Sequence, residues 1–434
     1  MFLCNIIPWY IFQTAADENC KKQRMSKRSY FILSLFVLTL STTIFSVSSC
    51  TKLLPDMINP EEGLCGPISL SSAQTLLFSA GNDQFFANRT SATGLGPYFV
   101  ATACGSCHSS DNRGHPFTIL TRFGQTDSTG NKFLAEGGPQ LGAFCLPGFT
   151  PETLPAGATS TKLIAPITAG VGFLEAVPDS EIIAMADSNI NNADGVRGHP
   201  NYNTIPSYVT PLNGAIPRPD GKYICRFGRK ASVYSLFEQV AIAYNHDMGI
   251  TSSYMPDNPF NYQDQTAPAI ASAPEIDNTT FYSVVFYVTA LQTPIQRTPT
   301  DPTVMQGQNL FTQIGCASCH KPTLTTGYSA IDGLSYQTIH PFTDLLVHDM
   351  GPGLDDGYTE GDAKTSEWRT TPLWGLGLAP GVQGGSVYLM HDGRARSIAQ
   401  AIQLHGGEAA VSSKRFTSLS APDQAALVKF LQSL

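Results

Sequence analysis

In the second half of the chain, apolar residues recur at the three-and-four spacing of a buried helix face. Leu236, Val240 and Tyr244 share one face, and Ser235 with Glu238 forms a capping box ahead of them. The pattern predicts a helix that begins near Ser235 and stops by Gly249. Phe281, Val284, Val285, Val288 and Leu291 predict a second helix over about 280–292. Pro294, Pro299 and Pro302 then interrupt the pattern and mark a domain boundary. A third helix, about 303–314, runs straight into Cys316. The last opens at Ser420 with Pro422 in its first turn, and presents Leu427, Val428, Phe430, Leu431 and Leu434 on one side. Upstream, the stretches 120–165 and 187–220 are rich in Gly, Pro and Thr and read as long loops with a few short strands.

The chemistry of the chain lies in a pattern that occurs twice. Cys104-Gly-Ser-Cys107-His108 and Cys316-Ala-Ser-Cys319-His320 both read C-x-x-C-H, the attachment pattern of c-type haem. Two thiols add across the porphyrin vinyl groups, and the adjacent His ligates the iron from one face. Cys104, Cys107, Cys316 and Cys319 are therefore expected to carry two covalent haems, with His108 and His320 as iron ligands. A zinc ribbon is the competing reading, but its pairs lie ~15–20 residues apart. Here the separation is 316 − 104 = 212 residues. A dithiol redox motif does not need the trailing His.

The start of the chain fits haem attachment outside the cytoplasm. Lys27 and Arg28 precede an apolar stretch from Tyr30 to Phe45, which is followed by Val47-Ser-Ser-Cys50. A basic flank, a short apolar core and small residues make an export signal. The core is shorter than the ~20 residues of a membrane span. The small residues ending in Cys50 resemble a bacterial lipoprotein box, in which that Cys becomes the lipidated first residue. The expectation is a protein of the bacterial cell envelope, on the periplasmic side or surface, tethered to the membrane through lipid on Cys50. Residues 1–49 are then leader and 50–75 a tether. A first haem domain with large loop insertions spans 76–295, and a second cytochrome c domain spans 303–434.

Composition narrows the partners. The net charge is −8, and no basic run could neutralise phosphates, which argues against nucleic acid. Of ten cysteines, Cys65, Cys145 and Cys225 remain once leader, lipid and haem have taken theirs, so at most one internal disulfide can form. Asp187, Asn189, Asn191 and Asp194 alternate before Gly195 as calcium loops do, without the closing Glu.

Several segments together resemble the di-haem oxidoreductase family, also labelled thiol oxidoreductases and related to bacterial di-haem cytochrome c peroxidases. They include Gly94-Leu-Gly-Pro97 before the first motif, Gly172-Phe-Leu-Glu175-Ala-Val-Pro178 and Arg226-Phe-Gly-Arg-Lys-Ala231. Asp247-Met-Gly-Ile-Thr251, Asp344-Leu-Leu-Val-His348-Asp-Met-Gly-Pro352, Arg369-Thr-Thr-Pro-Leu-Trp-Gly375, His391-Asp-Gly-Arg-Ala395 and His405-Gly-Gly-Glu-Ala409 continue the likeness to the C-terminus. The resemblance implies a mainly α protein with two cytochrome c-like haem domains, long loops and a few short strands. It implies that the residue fourteen after His391, which is His405, is the second axial ligand of the C-terminal haem. Met390, His348 and Met350 are the alternatives. It places Glu175, set in an apolar run, as the acid/base at the first haem, and Thr370 to Pro372 near a Ca2+ site between the haems. For the first haem no second ligand is assigned: His115, seven residues after His108, reads as a surface or propionate contact, and His246, at the end of a helix, as a satisfied core residue.

The function so implied is electron transfer from a small redox donor protein, or a quinol-linked cytochrome, through the C-terminal haem to an N-terminal haem that reduces peroxide. Two rivals stand beside it. One is a pure electron-transfer di-haem cytochrome. The other is a non-enzymatic component of surface iron or haem handling.

Overall fold

A computed structural model describes residues 66–434, apart from 112, 125, 128–129, 132, 190–191 and 265–273. Its α-helices, in chain order, begin with α1 (Ser72–Phe86), α2 (Cys104–Cys107), α3 (Val171–Glu175) and α4 (Asp179–Asn189). Next come α5 (Leu236–Ile242), α6 (Asn278–Thr289) and α7 (Pro302–Gln313), then α8 (Ala379–Val382), α9 (Ile398–Gln403), α10 (Ala410–Ser418) and α11 (Ala421–Ser433). Two helix pairs frame the molecule. The α1 start is fixed by a capping box between Ser71 and Gln74, and that of α6 by Asp277, which accepts from Thr280 N–H. α1 and α6 pack together, and at their crossing a Cβ on Gly81 would lie 2.0 Å from the Ser283 carbonyl oxygen. α7 and α11 repeat the arrangement. Asp301 caps α7, Ser420 caps α11, and a Cβ on Gly307 would lie 2.1 Å from the Ala426 carbonyl oxygen. Each pair thus owes its closeness to one glycine, and each C-x-x-C-H motif follows the first helix of its pair.

The helix near Ser235 forms with a difference. Ser235 Oγ accepts from Glu238 N–H, but the Glu238 carboxylate accepts from Tyr234 N–H at 2.9 Å rather than closing back on Ser235. The helix then widens into a π turn, Ala243–Asp247, before Gly249 turns left-handed at φ 66°. The helices predicted over 280–292 and 303–314 occur as α6 and α7, shifted by one to three residues at their ends.

Strands are short. Every sheet among the described residues is an antiparallel pair. Two pairs matter for the site: β1 (Leu120–Phe123) with β2 (Ser160–Leu163), and β3 (Val347–Asp349) with β4 (Glu367–Arg369), which sets His348 opposite Trp368. The fold is therefore helix-rich with a few short strands, as the pattern predicts. Leu64–Leu434 forms one compact unit. One apolar cluster unites Phe173, Leu174 and Ile182 with Leu345, Leu346 and Trp374, so core residues from either side of the Pro294–Pro302 break pack together. A second gathers Phe85, Tyr244, Phe281 and Tyr287, and a third Val304, Phe311, Phe416, Leu427 and Phe430. Cys145 and Cys225 are free thiols, so they do not pair with each other, and Cys65 lies outside the described residues. No helix among the described residues is long and apolar enough to cross a membrane. The predicted leader, Cys50 and most of the tether also lie outside them.

Candidate functional site

The second motif opens at Gly315, whose left-handed φ of 94° ends α7 and turns the chain into Cys316. Cys316, Cys319 and His320 face a cleft of about 1400 Å³, its open mouth included. Phe311, Leu376, Leu389, Ile398 and Leu431 give the cleft apolar walls. His405 stands just past α9, and its ring centre lies 6.5 Å from that of His320. Both rings are held the same way. His320 Nδ1 sits 2.9 Å from the Phe342 carbonyl oxygen, and His405 Nδ1 sits 2.7 Å from that of Ala401. Such a bond fixes the proton on Nδ1 and leaves Nε2 bare to bind a metal. Burial lowers the pKa of His320 to about 4 and lowers that of His405, so both rings are in the neutral, ligating form. At a metal–imidazole bond of about 2.0–2.1 Å, rings bound on opposite sides of one ion lie roughly 6 Å apart between centres. The observed spacing fits a group bound between them.

The alternatives to His405 have other contacts. His348 spends both nitrogens on carboxylates, Asp344 Oδ2 at 3.0 Å and Glu408 Oε2 at 2.8 Å. Its closeness to Asp344 and Cys319 is a hydrogen-bonded knot in which Cys319 belongs to the motif. Met390 and Met350 line the cleft wall. His391 lies flat on Trp368, centre to centre 3.7 Å, planes 7° apart.

The first motif is the short helix α2. His108 Nδ1 sits 2.9 Å from the Pro166 carbonyl oxygen, which again leaves Nε2 bare, and burial lowers its pKa to about 4. Burial, with the Asp247 carboxylate next in effect, pushes the thiols of Cys104 and Cys107 up to about 12. Among the described residues no imidazole faces His108 as His405 faces His320. His115 instead accepts from Phe117 N–H and packs against Phe117 and Tyr388.

A separate cavity of about 960 Å³, its open mouth included, is lined by Gln140, Glu152 and His246, next to Asp247, the carboxylate that acts on the first motif's thiols. Gln140 Nε2 donates to Asp247 at 2.7 Å, while its Oε1 is buried without a partner. Glu152 Oε2 accepts from Gly142 N–H at 2.7 Å, and its Oε1 is likewise unpartnered. Burial raises the Glu152 pKa to about 7, against the pull of that N–H. His246 is not a satisfied core residue: its Nδ1 is buried with no partner, and burial holds the ring neutral, with a pKa of about 3.

Glu175 ends α3. Its Oε1 accepts from Leu236 N–H at 2.7 Å, so the carboxylate caps α5. Burial raises its pKa, opposed by that N–H and by Arg226. Arg226 itself is paired with Asp179 at 2.5 Å.

The expected calcium loop falls largely on side chains outside the described residues. Asp194, at its end, is bound bidentately by Arg415. Near Thr370, the ammonium of Lys230 already sits among the carbonyl oxygens of Lys364, Thr365 and Glu367 at 3.1, 2.9 and 3.0 Å.

Sequence reasoning did not find Gln140, Glu152 or Trp368, which stand in loops or a short strand without a local motif; Arg229 and Arg369 lie in segments that carry the family resemblance, but no role was read for them.

The paired histidines with bare Nε2 atoms, facing an apolar cleft behind a C-x-x-C-H motif, suit a haem-binding oxidoreductase. The profile described as "Di-haem oxidoreductase, putative peroxidase" matches residues 160–434, more than half of the sequence, and the chain belongs to that family. The match includes the second motif and His405, and the first motif precedes it. No curated protein matches the chain. Among solved structures, the chain is similar to the hydrazine synthase of Kuenenia stuttgartiensis pressurised with 20 bar xenon. The two share 13% identity at a TM-score of 0.38, over 88% of this chain and 94% of that one. That likeness is too distant to carry an argument about function.

Proposed function

We propose that this protein is an exported, lipid-anchored di-haem c oxidoreductase that reduces peroxide at its first haem with electrons received through its second. When bound, the haems supply reversible one-electron chemistry and, at an open axial position, a place for peroxide. The observation that carries the reading is an asymmetry. The second motif has a second imidazole opposite its own, which suits a closed electron-transfer centre. The first motif has one, and a cavity that holds unpartnered atoms of Gln140, Glu152 and His246 lies next to Asp247, the carboxylate that acts on its thiols.

Reduction of H2O2 to two waters consumes two electrons and two protons. A group that takes the proton from the near oxygen and returns it to the leaving one accelerates it. Glu152 suits that task by its unpartnered oxygen in that cavity and by a pKa of about 7. Gln140 ties the cavity to Asp247, and the neutral His246 ring offers its unpartnered Nδ1 as a hydrogen-bonding partner there. A second reading keeps Glu175 in this role, favoured by its burial and raised pKa, with its Leu236 contact giving way.

The electrons come from a small redox protein or a quinol-linked cytochrome, and lipid on Cys50 holds the chain at the membrane. A pyridine haemochrome assay should give two c-type haems per chain. One of the two should bind cyanide or azide, and peroxide should be turned over with a reduced donor. Two haems that both refuse exogenous ligands would leave a pure electron-transfer cytochrome. Haems inert to small donors would favour iron or haem handling. Absence of covalent haem would overturn the reading.

A further inference from the structure

Arg229 and Arg369 are buried side by side in the wall of the second cleft, 7% and 8% exposed. Arg229 spends Nε and Nη2 on one carbonyl oxygen, that of Ile164, at 3.0 and 2.7 Å. Arg369 donates Nε to the Gly228 carbonyl at 3.0 Å, and its Nη1 is buried with no partner. No carboxylate among the described residues pairs with either. The acids that feel them most are already taken, Asp392 by Arg394 at 2.8 Å and Asp344 by His348 at 3.0 Å. Burial lowers Arg229 to about 9, with Arg113 and Arg369 adding repulsion, and burial with Arg113 lowers Arg369 to about 10. Both remain charged at neutral pH. Buried cations held by carbonyls and repelling one another are costly unless an anion meets them.

We infer that Arg229 and Arg369 form a clamp for two carboxylates, the propionates of the haem bound between His320 and His405. The inference rests on the haem reading above. A guanidinium offers a planar fork that matches a carboxylate. With its thioether edge held at Cys316 and Cys319, the macrocycle would turn its propionate edge toward the two guanidinium groups across the same cleft. Arg229 is anchored on Ile164, two residues from Pro166, whose carbonyl orients His108. Ile164 N–H in turn donates to the His391 carbonyl at 2.8 Å. One short backbone stretch therefore positions both the clamp and the axial ligand of the first haem.

The test is spectroelectrochemistry of the holoprotein and its Arg369→Met, Arg369→Lys and Arg229→Met variants, from about pH 5 to 8, across and above the carboxyl range. Loss of either guanidinium should lower the midpoint potential of the second haem. It should also bring a pH dependence into this window, because propionates that lose a cation titrate higher. Arg369→Lys keeps the charge without the fork and should recover much of the potential. A free dianion is the other source of the same chemistry. Added phosphate should leave the wild-type potential unmoved, and a phosphate-dependent shift would reassign the clamp to a soluble anion. Unchanged potential and pH slope in both Met variants, with native low-spin spectra, would overturn the inference alone. A wild-type chain with no haem at the second motif would instead overturn the proposed function beneath it.

Discussion

At the scale of single residues, three histidines solve the same problem in the same way. His108, His320 and His405 each commit Nδ1 to a backbone carbonyl and keep Nε2 for another partner. His405→Gly should therefore open the axial position of the second haem and turn its spectrum high-spin, with the other haem unchanged. A low-spin spectrum that survives the change would remove His405 from the iron. The two buried carboxyls separate by a second substitution pair. If Glu152 carries the proton, it must begin ionised, so peroxide turnover should rise as pH passes through about 7. Glu152→Gln should abolish that inflection and lower turnover by roughly 10²–10⁴-fold. Glu175→Gln should leave the inflection in place and lower the thermal midpoint, because it weakens the cap on α5. Stopped-flow kinetics and thermal melts would tell the two carboxyls apart. The sequence carried His320 through its C-x-x-C-H motif, and His405 through the family resemblance that marks its position. Glu152 and Gln140 lie twelve residues apart in loops, and nothing local distinguishes them from turn residues.

At the scale of elements, the caps were legible and the crossings were not. Ser235, Ser420 and the Phe281 face mark helices in the sequence because capping and apolar spacing act within a few residues. Gly81 and Gly307 look like ordinary weak helix formers until a second helix is laid across them. Gly307→Ala should push α7 off α11 and cost about 1–3 kcal/mol, as overpacking does elsewhere. Denaturant unfolding would measure it, and an unchanged midpoint would show that the crossing tolerates the methyl. The β3 strand adds a pH dependence. Burial works to lower the His348 pKa, but Asp344, Cys319 and Glu408 together raise it well above the usual value. A raised folded-state pKa stabilises fully below the unfolded value, about 6.5. That contribution is lost as pH rises through the folded value. Thermal midpoints should therefore fall on the alkaline side, and His348→Gln should flatten that fall.

At the scale of the whole molecule, the helix-rich class was readable from periodicity, whereas the joining of the two halves was not. Long loops without periodic signal supply that joining. His199 pairs with Val347, Arg113 and Gln383 donate to Pro372 and Gly114 across the molecule, and Lys230 reaches the 364–367 loop. The proposed lipid anchor also belongs to this scale. Cys50→Ser should release the protein from the membrane fraction, and intact mass should lose its acyl chains. Continued membrane partition without acyl mass would refute the anchor. The Ile164–His391 bond has a further consequence, for the order of assembly. Synthesis runs from the N-terminus, so the first motif is made 391 − 108 = 283 residues before the carbonyl that braces its histidine's support. His108 is among the first functional groups to be made and among the last to gain its final surroundings. A product cut short before residue 391 would keep the first motif but lose the bond that braces Ile164 beside it.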